Sequence, residues 1–259
     1  MALVDEMATV LSNQNVGPRL YIMVLRCPQI AEQVMPGQFV HVQLTGFESH
    51  ILRRPISVFD VNREEGTITL VYQVVGVGTE WMTTVTEGAH LDLIGAIGQG
   101  WTVPGAGQRV LIVGGGVGSA PLFILSKMAR QAGAQVDIVL AAATKDALVT
   151  LPYYTEAHGG EPVCATDDGT YGYAGFATEP AKKLLAETTY DRVYVCGPEP
   201  LMHIIANLAA EAHVPCELSM EKRMACGVGA CLSCIVETVD GRKRSCVDGP
   251  VFPAEKVVW

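Results

Sequence analysis

The stretch VLIVGGGVGSAPLFIL, Val110–Leu125, passes from a run of apolar β-formers through four glycines into a helix-forming segment. Such a strand–turn–helix junction aims free backbone amides and the positive end of a helix at one point, a seat for the phosphates of a dinucleotide. The candidates are Gly114, Gly115, Gly116 and Gly118, with the helix expected to begin near Ser119, carry Pro121 in its first turn and close on Gly133. Taken alone, the glycines are a moderate signal, the lesser alternative being a tight turn that binds nothing, and the surrounding pattern adds to it. QVDIVLAAA reads as a second strand, and DRVYVCG as a later one followed by the helical PLMHIIANLAAEAH. Strands alternating with helices predict a parallel α/β nucleotide-binding domain over residues 103–215. Ligands collect at the carboxyl ends of such strands, which adds Cys196, Gly197 and Pro198 to the candidates. AAATKD, after the second strand, holds neither an acid placed for a ribose hydroxyl nor an arginine for a 2′-phosphate, so the residues leave NAD and NADP open.

Upstream, the period changes. RLYIMVLRC, GQFVHVQL, TITLVYQVV and HLDLIGAIG are short, rich in Val, Ile, Leu and Tyr, and separated by Gly and Pro. They predict a small antiparallel β-barrel over residues 1–102. Within it, ILRRPISVFD sets Arg54, Pro55, Ile56 and Ser57 on an extended segment where a guanidinium and a hydroxyl can converge on an anion such as a pyrophosphate. VVGVGTEWM then offers Gly76, Gly78 and Thr79 at a helix start, a second amide-rich seat. Each also has a plainer reading: a surface salt bridge for Arg54, a hairpin turn for Gly76–Thr79.

Downstream, residues 216–259 are short of helical pattern and hold four of the eight cysteines as C-x4-C-x2-C-x11-C: Cys226, Cys231, Cys234 and Cys246. A glycine-containing four-residue loop before a C-x2-C pair is the spacing of plant-type 2Fe-2S proteins, in which the loop wraps the cluster. Gly227 and Gly229 suit a backbone that must approach closely. Structural zinc is the competing occupant, but zinc ribbons pair C-x2-C knuckles, so spacing and loop composition favour iron–sulfur. The remaining cysteines, Cys27, Cys164, Cys196 and Cys216, are scattered and expected to be reduced, most of them small buried side chains.

Composition sets the outer bounds. A 259-residue chain with net charge -9 is too acidic for a nucleic-acid groove, and its one dense basic run, Arg242-Lys243-Arg244, is expected to be a solvated turn. MALVDEMATVLSNQNVG lacks the basic start and apolar core of a signal peptide, and no apolar run reaches the roughly 18 residues of a membrane span. A cytoplasmic location follows as the expectation, and there cysteine clusters hold metals more readily than disulfides. The six histidines are unclustered and receive no role. Asp167-Asp168 before a glycine reads as a turn, and HExxH and G-x-S-x-G motifs are absent.

Taken together and in order, RRPISV, GGGVGSAPL, CGPEPLM, EKRMACGVGACLSC and CVDGPVF resemble the ferredoxin reductase superfamily, and within it the electron-transfer subunits of dihydroorotate dehydrogenase B. The resemblance covers nearly the whole chain. It implies a β plus α/β fold: an N-terminal antiparallel FAD-binding barrel, a central parallel α/β domain for NAD, and a small C-terminal 2Fe-2S domain ligated by the four cysteines. By the same resemblance Arg54 meets the FAD diphosphate and Ser57 the isoalloxazine, with Pro55 and Ile56 beside them. Val71, Tyr72 and Gln73 flank the flavin, Gly78 and Thr79 hold its phosphates, and Cys196, Gly197 and Pro198 sit beside the nicotinamide. The wider superfamily often places a tyrosine where this chain has Ile56; Tyr72 is the candidate substitute for stacking. The implied partner is an FMN-containing dihydroorotate-oxidising subunit of pyrimidine biosynthesis, in a heterotetramer of two of each.

Two other functions fit the residues. One is a flavin and iron–sulfur subunit of an NAD(P)H–ferredoxin oxidoreductase, sulfide dehydrogenase or hydrogenase complex; the other is a nucleotide-binding redox sensor without turnover. Met224, Val228 and Leu232, apolar residues around the cysteine loop, suggest a face covered by a partner or, alternatively, packing on the α/β domain.

Overall fold

A computed structural model describes residues 3–46 and 50–259. Six strands form a closed antiparallel barrel: β1 (Val4–Gly17), β2 (Leu20–Arg26), β3 (Phe39–Val42), β4 (Arg54–Asn62), β5 (Thr67–Gln73) and β6 (His90–Ile97), in the order β1-β2-β5-β4-β3-β6. Closure removes the exposed edges that an open sheet of this size would carry. Inside it Ala8, Val10, Met23, Leu25, Val40, Val42, Leu70 and Leu93 make one core with the short helix α1 (Pro28–Gln33). β1 alternates into that core although much of it is polar; its buried Glu6 accepts the amides of Gln29 (3.2 Å) and Ile30 (2.9 Å), capping the start of α1. A second short helix, α2 (Val77–Met82), follows β5.

The second unit is a seven-stranded sheet of β7 (Arg109–Gly115), β8 (Gln135–Ala142), β9 (Val163–Thr166), β10 (Tyr173–Ala174), β11 (Arg192–Cys196), β12 (Cys216–Ser219) and β15 (Val251–Pro253). Its order is β10-β9-β8-β7-β11-β12-β15, parallel except for β15, which lies antiparallel on β12. Its helices are α3 (Phe123–Gln131), α4 (Leu151–His158), α5 (Thr178–Glu187) and α6 (Glu199–Glu211). Residues 216–259 are therefore divided: β12 and β15 complete the sheet, and the cysteine-bearing loop with the hairpin β13 (Ile235–Thr238) and β14 (Gly241–Arg244) stands apart from it.

Two local expectations are corrected. The α-helix after the glycines starts at Phe123, not near Ser119; Gly116–Leu122 is a 3-10 turn. Pro121 has no amide hydrogen to offer, and Ser119 Oγ donates to the Gly116 carbonyl at 2.8 Å, so the tighter winding is favoured. Arg242-Lys243-Arg244 is not a turn but most of strand β14; Arg242 pairs with Glu237 across the hairpin (3.0 Å) and Arg244 with Asp248 (3.3 Å).

Barrel and sheet share a core in which Phe59 stacks on Phe123 at 4.5 Å and Trp101 donates its indole N–H to the Pro121 carbonyl at 2.8 Å. That contact fixes the glycine turn against the barrel wall. Among the described residues, no helix is long and apolar enough to cross a membrane.

Candidate functional site

A cleft of about 470 Å³ opens where the three parts meet. One wall is barrel: Arg54, Pro55, Ile56 and Ser57 from β4, Val71, Tyr72 and Gln73 from β5, and Thr79 from α2. A second is the 3-10 turn, through Val117 and Ala120. The third, Ser219–Met224 with Pro250, is the peptide entering the cysteine loop. Eight of the ten barrel candidates thus line one cavity; Gly76 is not among them, and Gly78 lies against the Arg54 guanidinium, where a Cβ would collide with it.

Among the described residues Arg54 makes no salt bridge. Its neighbour Arg53 pairs with Asp92 at 2.9 Å, whereas Arg54 donates only to the Leu52 carbonyl among the hydrogen bonds of the described residues. A guanidinium fixed in a cleft beside backbone amides, with no carboxylate paired to it among the described residues, suits an anionic guest such as a diphosphate. The Thr79 hydroxyl, by contrast, is already occupied. It accepts the amides of Val75 (2.9 Å) and Gly76 (3.2 Å) and donates to the Gly76 carbonyl, so it braces the loop that shapes the seat. The Tyr72 ring is also committed elsewhere: it stacks on Tyr21 at 5.5 Å and donates its hydroxyl to Asn13 at 3.0 Å.

At the carboxyl ends of β7 and β11 the glycines interlock. A Cβ on Gly118 would stand 2.6 Å from the Gly197 α-carbon, and one on Gly114 would stand 2.8 Å from that of Ser119. Gly115 lies against Pro198 and Leu201, and Gly116, at φ +56, faces open space. Cys196 is buried beneath this junction, where desolvation first and the Glu221 carboxylate second raise its thiol far above the ordinary range. It packs as a neutral thiol.

The four cysteines come together as two pairs. The Cys231 amide points at Cys226 Sγ from 3.4 Å, and Cys234 Sγ lies 3.4 Å from Cys246 Sγ. Among the described residues no three His, Cys, Asp or Glu side chains converge as a nest for one ion. Two pairs fit a diiron cluster, with two thiolates for each iron, better than a single zinc. Burial raises the Cys226 thiol, but the amides of Val228, Cys231 and Ala230 outweigh it and bring it down to about 6, so the loop is built to hold negative sulfur. Burial and then the nearby Cys234 thiol push Cys246 up to about 12. Arg244 clamps the loop from behind, donating to the Gly229 carbonyl at 3.2 Å. Cys234 and Cys246 pack with Phe39 and Ile97 of the barrel, and Met224 joins them there rather than on the α/β domain; Val228 and Leu232 are exposed.

This region, residues 221–258, matches the family described as the iron-sulfur cluster binding domain of dihydroorotate dehydrogenase B. The electron transfer subunit of dihydroorotate dehydrogenase B (NAD(+)) from Desulforamulus reducens is 40% identical over 256 residues, 97% of each chain. The chain belongs to this family of electron-transfer subunits. The namesake subunit of Bacillus caldolyticus is 37% identical over 260 residues, 98% of each chain. The solved structure reported as an NADH-dependent reduced ferredoxin–NADP oxidoreductase superposes with TM-score 0.89 at 31% identity, over 97% of this chain and 90% of that one. A ferredoxin reductase of carbazole 1,9a-dioxygenase, at TM-score 0.69 and 21% identity over 83% and 68% of the two chains, shares the fold.

Three features of this electron-transfer subunit escaped the sequence reading. Glu221, Lys222 and Arg223 line the cleft, and their signal was a charged triplet two residues ahead of Cys226. Glu221 is open to water yet set deep enough for desolvation to raise its carboxyl. Ser219 and Met220 line it too, with no signal beyond their place at the end of a strand. His41, one of six histidines that are unclustered in the sequence, lies against the cysteine loop.

Proposed function

We propose that this chain carries electrons between an FMN-containing partner subunit that oxidises dihydroorotate and NAD(H). On this reading FAD occupies the cleft, Cys226, Cys231, Cys234 and Cys246 hold a 2Fe-2S cluster, and the complex is a heterotetramer of two copies of each subunit. Bound FAD supplies the exchange between hydride pairs and single electrons, and the cluster a one-electron relay.

One observation carries the reading: the cleft that begins at Arg54 and Thr79 ends at Met224, which packs with Cys234 and Cys246. A single cavity wall joins an anion seat to the cysteine pairs, so electrons need not cross a domain to pass between them. Arg54 binds the diphosphate, Ser57 and Ile56 line the ring, and the Gly114–Gly118 turn with Gly197 and Pro198 receives the nicotinamide nucleotide across the same junction. Exposed Val228 and Leu232, 45% and 60% accessible, offer an apolar contact for the partner beside the cysteines.

The test is reconstitution. The purified chain mixed with its cognate FMN subunit is expected to reduce NAD+ when dihydroorotate is supplied. The likeness to the ferredoxin–NADP oxidoreductase structure favours one other reading, in which ferredoxin is the partner. Turnover with ferredoxin and none with the FMN subunit would decide for it.

A further inference from the structure

His41 lies in β3, whose residues alternate between two different interiors. Val40 and Val42 point into the barrel core, while Phe39 packs outward with Cys234 and Cys246. His41 shares Phe39's side of the strand, with the two rings 5.9 Å apart. It is wholly buried, and among the described residues neither Nδ1 nor Nε2 meets a protein hydrogen-bond partner. The ring lies on the cysteine loop itself: a Cβ at Gly227 would stand 2.6 Å from His41 Cε1 and Nδ1, so only glycine lets the loop come this close. Desolvation first, and the Arg53 charge second, push the imidazole down to about 4, leaving one N–H and one bare nitrogen at neutral pH. Folded proteins rarely abandon a buried N–H, so an acceptor outside the polypeptide is called for. The ring lies against the residue next to Cys226, in a loop whose amides already converge on sulfur.

We propose that His41 donates its ring N–H to a sulfur of the iron–sulfur cluster, thiolate or sulfide, and thereby raises the cluster's reduction potential. A hydrogen bond to sulfur stabilises the more negative, reduced cluster more than the oxidised one. The barrel therefore does more than carry flavin: through β3 it sets how readily the cluster accepts an electron. This inference rests on the cluster assignment above.

The test is an EPR-monitored redox titration of the complete, cluster-loaded protein. His41→Phe keeps a ring but no donor and is expected to make reduction at least tenfold less favourable, a shift of about 59 mV to lower potential for a one-electron couple. His41→Gln, which retains an N–H, is expected to recover most of that shift. An unchanged midpoint in His41→Phe, or equal shifts in both variants, would overturn the proposal. Should His41→Phe fail to load iron, pulsed EPR of the reduced wild-type protein carrying 15N-histidine decides: a histidine nitrogen coupled to the cluster supports the bond, and its absence overturns it. Iron-free wild-type protein would instead overturn the cluster assignment, a separate failure.

Discussion

The Arg54 guanidinium lies across the α-carbon of Gly78, filling the space a side chain there would need. Gly78→Ala must displace it. Because Arg54 is the flexible partner, the fold is expected to survive, with the melting temperature nearly unchanged while FAD affinity falls. A lost charge-assisted contact of about 1.5–3 kcal/mol corresponds to roughly ten- to a hundredfold in Kd, and Arg54→Ala should show a similar loss. Flavin retention on gel filtration, with calorimetric titration of FAD into the apoprotein, measures it; full retention in both variants would contradict the placement of the diphosphate.

Gly118 is constrained differently, because its obstacle is rigid backbone at Gly197 and Cys196, 2.6–2.8 Å from a Cβ. Gly118→Ala is expected to push the two nucleotide-side turns apart and to lower stability by about 1–3 kcal/mol, as overpacking does. Stopped-flow reduction of bound FAD by NADH should slow as the turns separate. An unaltered rate in a fully stable variant would show that the turns do not form the nicotinamide seat.

Cys234→Ser removes a proposed cluster ligand from the buried pair; Cys234 does not itself line the cleft, although it packs with Phe39 and Met224, which do. Iron content should fall to near background while FAD remains bound and NADH still bleaches it. Electron delivery to the partner subunit should vanish. Simultaneous loss of flavin would indicate that loop and cleft do not fold independently.

The strand and cluster signals were legible because they are local. Val- and Ile-rich β2, β5 and β7 declare themselves within a few residues, and the cysteine spacing within about twenty. β1 was not legible: its 14 residues include Asp5, Asn13 and Gln14, and its buried Glu6 makes sense only beside the amides of α1. The helix start failed for a tertiary reason, since Trp101 and Ser119 tighten the turn that propensity would have made α-helical. The barrel side of the cleft could be read from RRPIS, but its third wall could not, because Ser219–Met224 reaches it only when β12 joins the sheet. His41 had no signal at all; its meaning comes from Gly227, far away in sequence.

Glu221 gives a pH prediction. Desolvation raises its carboxyl in the folded chain, so the folded state holds that proton more tightly than the unfolded one. Stability therefore declines as pH rises from the unfolded value of about 4.3 through the raised folded value, and is level above it. Glu221→Gln is expected to remove this part of the slope and to melt higher than the wild-type apoprotein at neutral pH. Parallel melting curves from pH 4 to 7 measure the difference, and a constant offset across the range would contradict the assignment.

The central claim is that a flavin and a diiron centre share this chain closely enough to exchange electrons. An anaerobic NADH titration of the purified protein, followed by absorbance and low-temperature EPR, tests it most directly. The account predicts flavin bleaching together with the appearance of a reduced 2Fe-2S signal in the same preparation. Protein that holds neither iron nor FAD after reconstitution, or a flavin that bleaches while the cluster stays oxidised, would contradict it.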